Sequence, residues 1–146
     1  MSIRIQSYKA ECFAGVDALW RDVFPEDPPW NRAPVAIPAK LAVHPQLFLL
    51  AMQGEQVVGT VMGGYDGHRG WAYALAVDRD YRHRGIATRL MTELESRLLA
   101  LGCGKLNLQV RADNAQVVAL YQRLGYAVED RISLGKRLTS TSAKKF

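Results

Sequence analysis

Apolar side chains recur along the chain with two periods, and the switches between them divide it into elements. Ile3 and Ile5 alternate with Ser2 and Arg4 as in a strand. From Glu11 to Phe24, Phe13, Val16, Leu19, Trp20 and Val23 recur at spacings of three and four, which predicts an amphipathic helix stopped by Pro25, Pro28 and Pro29. A proline-broken loop with Trp30 and Asn31 leads to a short helix over Pro34 to Val43, proline being tolerated in a first turn. Leu47 to Met52 and Val57 to Tyr65 read as strands joined at Gly54, and Trp71 to Val77 as another after the turn Asp66-Gly67-His68-Arg69-Gly70.

From Gly85 the period changes. Ile86, Leu90, Leu94, Leu98 and Leu101 mark a long amphipathic helix closed by Gly102, after which Leu106, Leu108 and Val110 alternate with Asn107, Gln109 and Arg111 in a half-buried strand. A last helix is capped near Asp113 and Asn114, carries Val117, Leu120, Tyr121 and Leu124, and ends at Gly125; Tyr126 to Leu138 supplies closing strand material. This order predicts an α/β domain with a mostly antiparallel, mixed sheet flanked by helices and a strand-turn-helix-strand crossover in its second half. One domain over 1–138 is expected, with 139–146 a frayed tail.

The rest of the composition narrows the class. No apolar run approaches the roughly 20 residues needed to span a bilayer, and the N-terminus lacks the layout of a secretory signal, so a cytoplasmic protein without a membrane partner is expected. Cys12 and Cys103 stand far apart and share no metal-ligand spacing with His44, His68 or His83, so free thiols and no metal are expected. The net charge of +5 fits either a polyanion or an anionic small ligand. Part of it clusters at Arg79, Arg82, His83, Arg84 and Arg89, with no aromatic residues interleaved as a stacking platform would require, so nucleic acid is not the expected partner.

That cluster surrounds Arg82-His83-Arg84-Gly85-Ile86-Ala87, a basic turn feeding a helix N-terminus, where free backbone N–H groups and the helix dipole attract anions. Gly85 removes a Cβ and Ala87 keeps the next turn small, so a phosphate can approach the backbone. A lone turn of this kind is also an ordinary tight turn with solvated arginines; its place between an apolar strand and a long helix favours the anion site. The second motif is Asn114, Tyr121 two helical turns later, and Gly125-Tyr126. Singly, these are an N-cap and a half-buried core tyrosine.

Taken together, the two motifs resemble the GCN5-related N-acetyltransferase superfamily over Ile3 to about Leu138. The turn is similar to that family's Q/R-x-x-G-x-G/A pyrophosphate motif, and Asn114 to Tyr126 to its following helix. Val57 to Gly70 and Ser133-Leu134-Gly135-Lys136-Arg137-Leu138 resemble the bacterial YpeA-like branch more closely. The resemblance implies acetyl-CoA, the acetyl-donor cosubstrate, in a V-shaped opening between the fourth and fifth strands. The backbone of Leu75 and Val77 would meet the pantetheine arm, Arg82 would open the phosphate turn, and His83, Arg84, Gly85, Ala87 and Thr88 would offer amides to the pyrophosphate. Asn114 would hydrogen-bond the arm, and Tyr121 would protonate the departing thiolate. The family's members are often homodimers.

Direct attack of a neutral amine on the thioester is then the implied reaction, and neither cysteine needs a role. Many relatives place a glutamate on the strand before the turn, but Trp71 to Val77 contains no carboxylate. Asp66, Glu26, Asp27 and His44 are the candidates for the base; Asp66 is also a turn former. Trp30, Asn31 and Tyr65 are the expected acceptor wall, Trp30 being equally a core anchor. The acceptor is an amine of a small molecule, a protein N-terminus or a lysine. An acyl-CoA-binding sensor without turnover is the rival reading, and a basic nucleic-acid-binding module the more distant one.

Overall fold

The structure is a computed structural model that describes residues 2–139. Cα packing divides the chain into two compact units, Met1–Gln109 and Val110–Phe146. The first unit contains a five-stranded sheet with its strands in sequence order: β1 (Arg4–Ser7), β2 (Phe48–Gln53), β3 (Gln56–Tyr65), β4 (Gly70–Val77) and β5 (Leu106–Leu108). The first three pairings are antiparallel and the last is parallel. The parallel pair requires a crossover, which α3 (Ile86–Ala100) supplies.

Helices α1 (Phe13–Val23) and α2 (Ala33–Leu41) cover one face of the sheet. Their Val16, Leu19, Trp20, Ala33 and Ile37 form a buried cluster with Phe48, Leu50, Met52, Met62 and Ala76. Helix α3 lies on the other face, close enough that two glycines of β3 are required. A Cβ on Gly59 would meet Ile86 and Leu90 at 3.1 Å, and one on Gly63 would meet Leu94 Cδ1 at 2.3 Å. Gly102, at φ +93°, closes α3 in a Schellman arrangement: its N–H donates to Leu99 O and that of Cys103 to Leu98 O.

The second unit holds α4 (Ala115–Arg123). Asn114 Oδ1 caps it by accepting from the Val117 N–H at 3.3 Å. Gly125, at φ +98°, ends it, with its N–H on Gln122 O and that of Tyr126 on Tyr121 O. The rings of Tyr121 and Tyr126 meet edge to face at 5.7 Å. The Gly125-Tyr126 dipeptide is thus a second Schellman cap whose apolar contact holds Tyr121.

Two expectations need correction. Tyr126 to Leu138 forms no strand among the described residues; Val128, Ile132, Leu134 and Leu138 are exposed, so no buried face organises their apolar pattern. The fifth strand stops at Leu108 rather than Val110. Of the expected tail, 140–146 lies outside the described residues.

Candidate functional site

The end of β5 creates the opening. Its ladder pairs Gly70 with Leu106, Trp71 with Asn107 and Ala72 with Leu108, and then ceases. From Tyr73 to Val77, β4 pairs with β3 alone. A bulge lies at this point: Tyr73 pairs with Met62 and Ala76 with Thr60, so Ala74 and Leu75 together oppose Val61. Ala74 takes the left-handed conformation at φ 57°.

One residue of bulge reverses the backbone's orientation, because successive residues of a strand direct their polar groups to opposite edges. The N–H of Gly70 donates to Lys105 O on the β5 side, whereas the N–H of Asp78 donates to Val58 O on the β3 side. An unbroken strand would turn Ala74 and Ala76 toward the opening. With the bulge, Leu75 and Val77 face it, as the resemblance implies. The Val77 carbonyl there accepts from Arg82 Nε at 3.1 Å.

A buried relay holds the bulge. Trp20 Nε1 donates to Thr60 Oγ1 at 2.9 Å, and the Thr60 hydroxyl donates to the Ala74 carbonyl, also at 2.9 Å. Both side chains are buried. The relay ties α1 to the one distorted residue of β4; from the sequence, Trp20 reads only as an apolar helix position and Thr60 only as part of a strand.

Beyond Val77 the chain makes a short 3-10 turn over Arg79–Tyr81 and enters α3 through His83 at φ 64° and Gly85 at φ +78°. Left-handed residues in such a turn direct successive N–H groups to one side. Gly85 is the N-cap, no side chain caps the helix, and its first turn carries no acidic residue. Among the described residues, the terminal amides of α3, those of Ala87 and Thr88 included, therefore have no capping side chain. A Cβ on Gly85 would meet nothing of the protein within 4 Å, so the glycine serves its left-handed φ and the open space above it. The arginines contribute less than their number suggests. Arg79 pairs with Asp22 at 3.0 Å, Arg89 donates to Ile3 O at 2.7 Å, and the Arg84 guanidinium lies 5.1 Å from the Tyr81 ring centre.

The expected acceptor residues are divided between the two faces. Trp30 and Asn31 lie in a 3-10 turn leading into α2, and Asn31 borders a shallow recess with Asp17, Trp20, Asp27 and Arg32. Tyr65 shares the face of Gly63, against α3, and its hydroxyl donates to Gly102 O at 3.3 Å. The structure does not bring Tyr65 together with Trp30 and Asn31. Trp71 and Tyr73, exposed on the α1/α2 face of β4, were missed because the run Trp71 to Val77 reads as uniformly apolar.

Asp66 Oδ1 accepts from the N–H groups of Arg69 and His68, both at 2.7 Å, and these bonds hold its carboxyl below the usual range. Its oxygen is engaged in the turn, and a depressed carboxyl is a weaker proton acceptor. Burial raises the Asp27 carboxyl, against the nearby Arg32. His44 Nδ1 is buried and has no hydrogen-bond partner among the described residues. Burial pushes the Tyr121 phenol up to about 12. Cys12 and Cys103 are buried free thiols.

A sheet opened beside a bulged strand ends at a helix N-terminus that no described side chain caps. The profile of the acetyltransferase (GNAT) family matches residues 13–126. An acetyltransferase of Yersinia pestis is 48% identical over 140 residues, covering 94% of this chain and 96% of that protein. One from Pectobacterium atrosepticum is 47% identical over the same shares. Among solved structures, AAC(6')-Iy in complex with a CoA-containing bisubstrate analogue superimposes with a TM-score of 0.79 at 15% identity, over 95% of this chain and 100% of that one. The chain belongs to the GNAT acetyltransferase family, and it is an enzyme of that class. Among the described residues no helix is long and apolar enough to cross a membrane.

Proposed function

We propose that the chain moves the acetyl group of acetyl-CoA to a primary amine by direct attack in a ternary complex. The observation that carries this reading is the bulge at Ala74, which turns Leu75 and Val77 to the open edge of β4 in line with the uncapped N-terminus of α3. Leu75 and Val77 offer the pantetheine arm a strand-like partner, and the amides around Gly85 receive the pyrophosphate. The amine attacks the thioester carbonyl, a backbone N–H beside the bulge stabilises the oxyanion, and the C–S bond breaks. The motif match assigns Asn114 to the arm and Tyr121 to protonation of the thiolate. The phenol, raised by burial to about 12, holds its proton at neutral pH but is a weaker donor than an ordinary tyrosine, so the role rests on the motif match. With the Asp66 carboxylate held in its turn, the amine's own proton passes to water or to one of Glu26, Asp27 and His44.

Calorimetric titration with acetyl-CoA, followed by thiol release with a panel of amines and peptides, tests the proposal. Micromolar binding with amine-dependent release supports it; binding without release would leave an acyl-CoA sensor in its place.

A further inference from the structure

The face of the sheet that carries α1 and α2 holds a charged side chain that the proposed chemistry does not use. Lys40, in the last turn of α2, is only 6% exposed, and its Nζ donates to the Gly63 carbonyl. It pairs with no carboxylate among the described residues. An ammonium has three donors and Gly63 takes one; withdrawing such a group from water without a counter-charge is costly. Burial alone lowers its proton affinity from that of an ordinary lysine.

Gly64 leaves a gap beside it. A Cβ on Gly64 would have Tyr73 Oη at 3.5 Å and Lys40 Nζ at 3.9 Å as its nearest neighbours. The ammonium and the phenol hydroxyl therefore border one methyl-sized space. Gly64 pairs with Trp71, and Tyr73 with Met62, so both aromatic side chains stand on this face. Trp71 is 40% and Tyr73 48% exposed, and Gly64 beside them is partly exposed. The position of this space along β4 matters as well. Tyr73 is where β4 parts from β5, one residue before the bulge, and about 13 Å from Val77 at ~3.3 Å per residue. A pantetheine arm running along the open edge from the α3 end brings its thioester to this end.

We infer that Lys40 Nζ and Tyr73 Oη, over Gly64, form a subsite for a carboxylate of the acceptor, so that the preferred acceptor is an amine bearing a carboxylate close by. The inference rests on the acetyl-transfer reading and adds the acceptor's chemical class to it. One carboxylate oxygen meets Lys40 and supplies the counter-charge missing among the described residues; the other accepts from the Tyr73 hydroxyl. The rings of Trp71 and Tyr73 wall the rest of the acceptor. An acceptor without an anion leaves the buried ammonium unpaired, which disfavours it.

The test uses free L-amino acids and their carboxamides, compared after correction for the neutral-amine fraction at the working pH, because amidation removes the carboxylate and also lowers the α-amine pKa. In the parent protein the acid is expected to exceed its amide in kcat/KM by about 10-fold or more. Lys40→Met should bring the two within about 2-fold of each other by raising the acid's KM, with calorimetric affinity for acetyl-CoA retained. Lys40→Arg keeps the charge and part of the preference. Gly64→Ala fills the gap at ordinary contact distances, so it folds with Lys40 in place and loses the preference in the same way. Equal use of acid and amide by the parent, or an acid preference that survives both Lys40→Met and Gly64→Ala, would overturn the inference while intact acetyl-CoA binding left the broader reading standing. A parent that fails to bind acetyl-CoA removes that reading, and the inference with it.

Discussion

Gly85 concentrates the proposed chemistry in a single absent side chain. Its φ of +78° costs an L-residue about 1–2 kcal/mol, and its would-be Cβ meets no protein atom. Gly85→Val should therefore fold with a modestly lowered Tm while losing at least about 10-fold in acetyl-CoA affinity by calorimetry; unchanged affinity in the folded variant would remove the cradle. Tyr121→Phe should lower kcat with acetyl-CoA affinity little changed, and equal rates would remove it as the acid. Burial raises this phenol to about 12, so any stability it lends is complete below its unfolded value near 10 and fades as pH rises through about 12. Ultraviolet titration of parent and Tyr121→Phe should accordingly differ only in the last tyrosinate to appear. Asp66→Asn keeps an oxygen for the Arg69 and His68 amides, so kcat should persist across neutral pH; a collapse of kcat would restore Asp66 as a base.

Strand β4 shows what periodicity conveys and what it omits. Its apolar run and its neighbours could be read from the alternation of residues, and so could the helix that follows Gly85. The bulge could not, because Ala74 carries no glycine or asparagine signal for a left-handed φ, and its cause lies in Trp20 and Thr60 on two other elements. Thr60→Val leaves the Trp20 indole and the Ala74 carbonyl without their shared partner, at a cost of about 1–3 kcal/mol in denaturant unfolding. Acetyl-CoA affinity should fall with it, since the relay sets which residues face the opening. A variant destabilised to that extent with full affinity would show that the bulge holds without the relay. Tyr65 illustrates the opposite error. Strand alternation places it on a face, but sequence alone does not say which helix covers that face; α3 does, and its hydroxyl is spent on Gly102.

At the scale of the molecule, the motif Arg82 to Ala87 taken together with Asn114 to Tyr126 indicated the family, and the match over residues 13–126 agrees. Acceptor recognition was not legible in the same way. Lys40, Gly64, Trp71 and Tyr73 are scattered over three elements, and only the pairing of β3 with β4 under α2 gathers them on one face. Relatives that share 48% identity are acetyltransferases by name, so the open question is the donor and the acceptor rather than the class. The most direct measurement is calorimetric titration of the parent protein with acetyl-CoA, paired with thiol release in the presence of amines. The account predicts micromolar binding and amine-dependent release, both weakened in Gly85→Val. Absence of acetyl-CoA binding by the folded parent would contradict it and return the turn at Gly85 to an ordinary helix start.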